Sequence, residues 1–381
     1  MSAPNDSPPS PRGKPGFFAE ERDAYVLGLL RIALSVLLFL NGARLILELE
    51  RGGYFGDFFH LPIWPEALVP SRALYLTLLL VQALAAVLGF LGLWPRGALL
   101  LASSIGLFLL GCDRLQYHNN RYALLLLGFL LAFTPCDRSF LLSRPKARAL
   151  PPKGRIAPTF ARRLFQIQVS LVYLSSACGK LLDPEWRGGA VLHMRFASVA
   201  PFWAERGIVL PPSLEQLLSS ALFASLASKI AISTELFIAL GLWLPSTRRV
   251  ALWVGVLFHF WIEVSARVEL FSWVMGASYL AFVLPELRER RFEYAAESPR
   301  GRALARAVRL LDWCARFEIA ALPAGAGAGA FRVIAREGQA KSGLTGFALL
   351  AEALPLLFPF WAPLALLGKW QRAPKASVSS A

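Results

Sequence analysis

The sequence predicts an all-α polytopic membrane bundle of about eight transmembrane helices, followed by a small α/β domain at the C-terminal end. Three observations lead there. Of the 381 residues, 56% are hydrophobic and 17% charged, against about 45–50% and 25% in ordinary globular chains. Apolar stretches recur between residues 25 and 285, divided by short polar connections. Beyond Pro285 the pattern changes to short aromatic runs alternating with a basic amphipathic segment.

Taken in order, residues 1–20 hold Pro8, Pro9, Pro11 and Pro15. They lack the apolar core and small-residue cleavage site of a signal peptide, so they read as a disordered cytosolic tail. The apolar stretches fall near 25–48, 73–94, 97–111, 122–135, 164–182, 221–244, 250–264 and 270–285. A full crossing takes about 20 apolar residues. The third, fourth and seventh stretches are shorter, which predicts tilted or re-entrant helices at the bundle edge. A ninth apolar segment, 347–367, is interrupted by Pro355, Pro359 and Pro363, and these argue against a continuous span.

The net charge of +15 would suggest nucleic acid in a soluble protein. In so apolar a chain it marks the cytoplasmic side of the lipid bilayer, and no nucleic-acid partner is expected. The 136–163 connection carries Arg138, Arg144, Lys146, Arg148, Lys153, Arg155, Arg162 and Arg163. The connections on the opposite side carry few basic residues. The positive-inside rule then puts both termini in the cytoplasm and the loops near 54–60, 113–122, 183–220 and 263–269 outside.

Four cysteines, Cys112, Cys136, Cys178 and Cys314, show no CxxC spacing, which argues against a disulfide framework and a cysteine-rich zinc site. Walker A, GxGxxG and GxSxG signatures are absent from the sequence. The most informative pattern is a stripe on the fifth stretch: Gln166, Ser170, Tyr173, Ala177 and Lys180. Steps of three and four residues place them on one helix face. Lys180 at membrane depth must pair, snorkel or function. Burial would free its amine to act as a base, whereas the structural reading pairs it with Asp183. On the seventh stretch, His259, Glu263 and Arg267 stand four apart. They form either a proton-handling chain or an ion-pair ladder between helices. One His and one Glu are too few for a metal site.

Several strings in order, VYLSSACGKLLDPEWRGG (172–189), HNNRY (118–122) with LLAFTPCDR (130–138), and FH…LFSWVM (258–275), resemble the HTTM family. These are bacterial relatives of the membrane half of vitamin K-dependent gamma-carboxylase, and the resemblance covers about residues 20–290. It implies a bacterial inner-membrane protein in which Lys180 occupies the place of the catalytic lysine and His259 the family's FH position. It further implies reduced vitamin K or another quinone as cofactor, with the lysine deprotonating the hydroquinone. The carboxylase's hairpin histidine has Asn120 in its place here, and His118, two residues earlier, is a displaced candidate. Glu263, one turn from His259, completes the candidate catalytic set.

The C-terminal region resembles the small thioredoxin-like DCC family of thiol-disulfide oxidoreductases. The signature Y-D-G-D-C-x-x-C-R corresponds to Tyr294–Arg302, with Ser298 and Gly301 where the cysteines belong. The resemblance thus implies a degenerate, redox-dead domain at 289–370, after a membrane domain at 21–288 and before a disordered 371–381 tail. Three functions remain open: an enzyme acting through Lys180 on a quinone-like or lipid-like substrate, a non-catalytic membrane scaffold whose C-terminal domain docks a protein partner, and a transporter. For the last, no internal repeat stands out.

Overall fold

The computed structural model describes residues 16–51, 53–56, 59–115, 117–142, 152–265, 268, 270–283, 287–322 and 331–370. Residues 1–15 of the expected 1–20 tail, the 371–381 tail, the AGAGAGA run (324–330) and the basic residues Arg144, Lys146 and Arg148 lie outside them, whereas residues 16–20 are among those described. The chain forms two compact units, Met1–Gln168 and Val169–Ala381.

The first unit opens with β1 (Glu21–Asp23) and α1 (Tyr25–Glu50), followed by α2 (Arg72–Leu91), α3 (Pro95–Leu110) and α4 (Asn119–Ala132). A short helix α5 (Pro152–Arg155) and β2 (Ile156–Pro158) then lead into α6 (Phe160–Leu182). Consecutive helices α1 to α4 pack as neighbours, and α4 returns against α1. The turn between α2 and α3 is specified locally. Gly92 ends α2 in the left-handed conformation at φ +71°, and Pro95 opens α3 where its missing N–H is harmless. Arg31 of α1 is fully buried, donating to the carbonyls of Cys136 at 3.2 Å and Phe140 at 2.6 Å. A Cβ on Gly28 would lie 2.0 Å from Ser139 Oγ, so the 136–140 segment approaches α1 only across a glycine. β1 and β2 pair antiparallel, reinforced by Arg155–Asp23 at 2.8 Å and Arg163–Glu20 at 3.0 Å.

Asp113, in the loop before α4, organises the connection after α1. It accepts from His60 Nδ1 at 2.9 Å and from the Leu61 and Leu115 amides. Burial pushes its carboxyl up, but these hydrogen bonds outweigh burial and hold it below the ordinary carboxylate value. A lowered folded-state pKa stabilises the fold above the unfolded value of about 3.9 and is lost as pH falls through the folded one. Asp113→Asn should therefore increase hydrogen exchange in the 59–63 and 113–117 segments at pH 7, and shrink the difference from wild type below about pH 4.

The second unit continues α6 and adds α7 (Pro184–Gly188), α8 (Ala190–Ala197), α9 (Val199–Ala204) and α10 (Pro212–Leu218). Then come α11 (Ala221–Gly241), α12 (Arg248–Ser265), and α13 (Phe271–Ser278) running into a 3-10 turn at Tyr279–Phe282. All eight apolar stretches are thus helical. Among the described residues three helices, Tyr25–Leu49, Arg72–Leu91 and Ala221–Gly241, are long and apolar enough to cross a bilayer. The rest fall short for identifiable reasons. The 16 residues of α3 reach about 24 Å. Polar residues line α6, and α12 carries Arg248, Arg249 and Glu263 within its 18 residues.

The C-terminal region of this unit is α/β, as expected from its sequence. It contains β3 (Arg290–Tyr294), α14 (Pro299–Leu311), β4 (Phe317–Ala321), β5 (Phe331–Ile334), β6 (Ala340–Lys341), α15 (Gly343–Ala353) and α16 (Trp361–Trp370). The sheet order is β4-β3-β5-β6, with β3 parallel to β4 and the other two pairings antiparallel. The parallel pair needs a crossover, and α14 provides it. Phe292, Val308, Phe317, Phe331, Val333 and Leu350 form the core. Across β3 and β5, Glu293 stands opposite Arg332 and accepts from it at 2.8 and 2.5 Å. The two-residue strand β6 was not foreseen; it is too short to show alternation. Segment 347–367 breaks into α15, a 3-10 turn at Pro355–Phe360, and α16, as its prolines require.

Ser298 caps α14 by accepting from the Gly301 amide at 3.3 Å. Ser298→Ala should cost about 1 kcal/mol, read as faster hydrogen exchange confined to the first turn of α14.

Candidate functional site

The polar stripe of α6 faces into the helices around it. Ser170 accepts from Trp243 Nε1 at 2.8 Å. One turn on, Tyr173 is buried, and its hydroxyl lies 2.5 Å from His259 Nε2 and 2.5 Å from the Tyr279 hydroxyl. Ala177 is buried, and Lys180 closes the stripe. Gln166, at the other end of the stripe, belongs to the first unit, where Arg163 donates to it at 3.0 Å.

Lys180 donates to Glu235 Oε1 of α11 and to Ser176 Oγ at 2.7 Å. Ser176 in turn donates to the same Glu235 oxygen at 3.1 Å. The indole of Trp186 covers the ammonium at 5.0 Å, within cation–π range. Trp186 is held by its own backbone: its carbonyl accepts from Ser228 of α11. The turn from α7 to α8 at Gly189 explains how it comes so close. Gly189 has φ +89°, and a Cβ there would lie 2.5 Å from the Ser225 backbone.

Asp183 is not the partner of Lys180. It accepts from the amides of Glu185 at 2.8 Å and Trp186 at 3.4 Å, forming the N-cap of α7. Pro184 starts a new helix immediately after it, so its carboxylate is occupied by backbone donors rather than by the lysine. Glu235 escaped the sequence reading, although a signal was present. It is the one acidic residue of the apolar 221–244 stretch, and such a residue needs a partner. Tyr279 was also missed. A tyrosine in an apolar stretch reads as packing until its hydroxyl partner is known.

His259 projects from α12 and is buried. Its Nδ1 has no partner among the described residues. Hydrogen-bond bookkeeping assigns two proton arrangements. Either Tyr173 donates to Nε2 and accepts from Tyr279, leaving the imidazole proton on Nδ1, or the imidazole donates to Tyr173 and Tyr173 donates onward to Tyr279. Converting one into the other requires a proton released at Nδ1 and another taken up at Tyr279, and only then does every group of the row stay neutral. Gly255 allows this geometry, because a Cβ there would lie 2.2 Å from the Tyr279 hydroxyl. Glu263 stands one turn beyond His259. Its Oε2 is buried and unpartnered, and among the described residues it makes no ion pair. Arg267, the third member of the expected ladder, lies outside the described residues. His118, in the first unit, sits at the N-cap position of α4 without a side-chain capping bond, and its Nδ1 is buried without a partner among the described residues. Asn120, two residues on, is buried.

Chemically, an ammonium and a carboxylate in contact can pass one proton and become an amine and a carboxylic acid, a pair with no net charge in either form. The amine so produced is a base. Among the described residues, no three His, Cys, Asp or Glu side chains come together as a metal site.

No curated protein and no solved structure matches the chain significantly. The family model of the HTTM domain matches residues 19–286, a segment that holds Lys180, Glu235, His259 and Tyr279 and makes up more than half of the chain. With that match, the chain belongs to the HTTM domain family.

Proposed function

We propose that the protein is a multi-span bacterial inner-membrane enzyme in which Lys180, paired with Glu235, takes a proton from a hydroxyl of a quinone-like or lipid-like substrate. The observation behind this reading is the Lys180–Glu235 pair on the same face of α6 as the buried Tyr173–His259–Tyr279 row. In this reading Glu235 accepts the lysine proton and leaves the amine able to deprotonate a reduced quinone such as vitamin K hydroquinone. Burial away from water favours such a transfer between neutral partners. His259 and Glu263 then handle the proton released. His118 is a further candidate, on the outer side, by resemblance to the carboxylase alone. All eight apolar stretches cross the membrane in this reading, with both termini cytoplasmic.

The test uses full-length protein in nanodiscs with reduced vitamin K under air, following hydroquinone loss and quinone products. Wild type should consume the hydroquinone, while Lys180→Ala and Glu235→Gln should each lower the rate at least about tenfold, the lower end of what a positioned acid–base group contributes. Equal rates for wild type and Lys180→Ala would refute the enzymatic reading.

The second reading is a scaffold. It is favoured by the anchoring of the C-terminal domain on α12, where Trp253 Nε1 donates to the Pro359 carbonyl at 2.8 Å and Arg249 meets Glu352 at 3.3 Å. The strand order β4-β3-β5-β6 around a βαβ unit supports a thioredoxin-like domain of the DCC type over 289–370. Ser298 and Gly301, at the places of the two cysteines, sit at the strand-to-helix turn, and neither can supply a thiolate. The full-length protein should not speed the reduction of insulin disulfides by dithiothreitol beyond the rate of dithiothreitol alone. Faster reduction would contradict a redox-dead domain.

A further inference from the structure

A cavity of about 300 Å³ opens where α12, the Tyr279–Phe282 turn and the C-terminal domain meet. Its volume is at the lower end of what holds a small organic ligand. Its lining is of two kinds: Leu252, Val256, Leu280, Phe358 and the Tyr279 ring on the one hand, and Arg248, Arg249, Arg290 and Arg316 with the one lining carboxylate, Glu352, on the other. Arg249 and Arg290 meet at Glu352, and along α12 Arg248 and Arg249 precede Leu252 and Val256 by about one and two turns.

The arginines are each held by neighbouring groups. Arg248 donates to the carbonyls of Leu242 and Trp243, and Arg316 to those of Glu352 and Ala353. Arg290 and Arg249 share the Glu352 carboxylate at 3.0 and 3.3 Å. Four guanidinium groups and one carboxylate thus line the cavity beside apolar side chains.

From this we infer that the cavity binds an anionic amphiphile, an acidic phospholipid whose phosphate meets the arginines and whose acyl chain enters the slot toward Tyr279. Basic pockets beside membrane helices suit anionic head groups, and guanidinium groups suit phosphate oxygens in particular. The inference does not depend on catalysis at Lys180, which is not among the cavity residues.

One residue makes a clean test. Gly276 of α13 lines the cavity, and a Cβ built on it meets nothing within 4 Å. Gly276→Phe should therefore fill the slot rather than strain the fold, and an interior glycine lost from a helix removes an entropic penalty. Delipidated full-length protein would be titrated with phosphatidylglycerol, phosphatidylcholine and inorganic phosphate, with binding followed by native mass spectrometry. The expected result is phosphatidylglycerol bound at least tenfold more tightly than phosphatidylcholine. Gly276→Phe should abolish that binding while its thermal midpoint stays at the wild-type value, and Arg249→Glu should weaken it at least fivefold. Equal binding of the two lipids, or phosphatidylglycerol binding untouched by Gly276→Phe, would overturn the proposal. Phosphate bound as well as the lipid would also overturn it, showing an anion site without a chain slot. Hydroquinone consumption measured on the same Gly276→Phe protein separates this site from the one at Lys180.

Discussion

Glu235→Leu, which leaves the Lys180 ammonium without its counter-charge, should destabilise the folded protein by about 3–5 kcal/mol, the usual cost of removing one partner from a buried ion pair. Glu235 is 5% exposed and Lys180 17%, so water can relieve the orphaned lysine only in part. Ser176 and the Trp186 ring, which also contact the ammonium, supply no negative charge. The double variant Lys180→Met/Glu235→Leu should recover most of the loss, because neither charge then remains to be buried. The measurement is the thermal midpoint of the full-length protein in detergent for both single variants and the double, read as a double-mutant cycle. Additive losses would mean that the two side chains do not depend on each other, and the site as described would be wrong. Stability and turnover report different things here. If the pair were only a brace, the double variant would be stable and would leave hydroquinone consumption at the wild-type rate.

The second large effect is expected at Gly189. A left-handed backbone costs a non-glycine residue about 1–2 kcal/mol. The Cβ of Gly189→Ala would also press on the Ser225 backbone of α11, and overpacking of this kind adds about 1–3 kcal/mol. Relief requires the α7–α8 turn to move off α11, which breaks the hydrogen bond from Ser228 to the Trp186 carbonyl and withdraws the indole from Lys180. Gly189→Ala should thus lower the thermal midpoint and make Lys180 more reactive to amine-directed reagents. A stable variant with unchanged lysine reactivity would show that this turn does not position Trp186.

Helical periodicity was enough to place Lys180 and Tyr173 on one face of α6, because residues three and four apart share a face whatever packs against them. The eight apolar stretches and the α/β character of the C-terminal region were legible for the same kind of reason. Alternation, a proline at a helix start and a serine cap are local signals, as at Ser298 and Pro299. Partners across helices were not legible. Asp183 was the natural mate for Lys180 by sequence distance, yet it caps α7, and the mate came from Glu235, 55 residues away. Tyr279, 106 residues from Tyr173, carried no signal beyond being a tyrosine in an apolar stretch.

The sequence by itself determined the helical stretches, the polar face of α6, the strands β3, β4 and β5 and the membership in the HTTM family. Tertiary structure alone decided that Lys180 meets Glu235, that Tyr173 joins His259 to Tyr279, and that four arginines gather beside an apolar slot. The reason is physical. Periodicity and capping act within a few residues of chain, whereas the choice of partner for a buried charge depends on which helices pack together, and glycines such as Gly189 and Gly255 set that packing by letting backbone and ring approach.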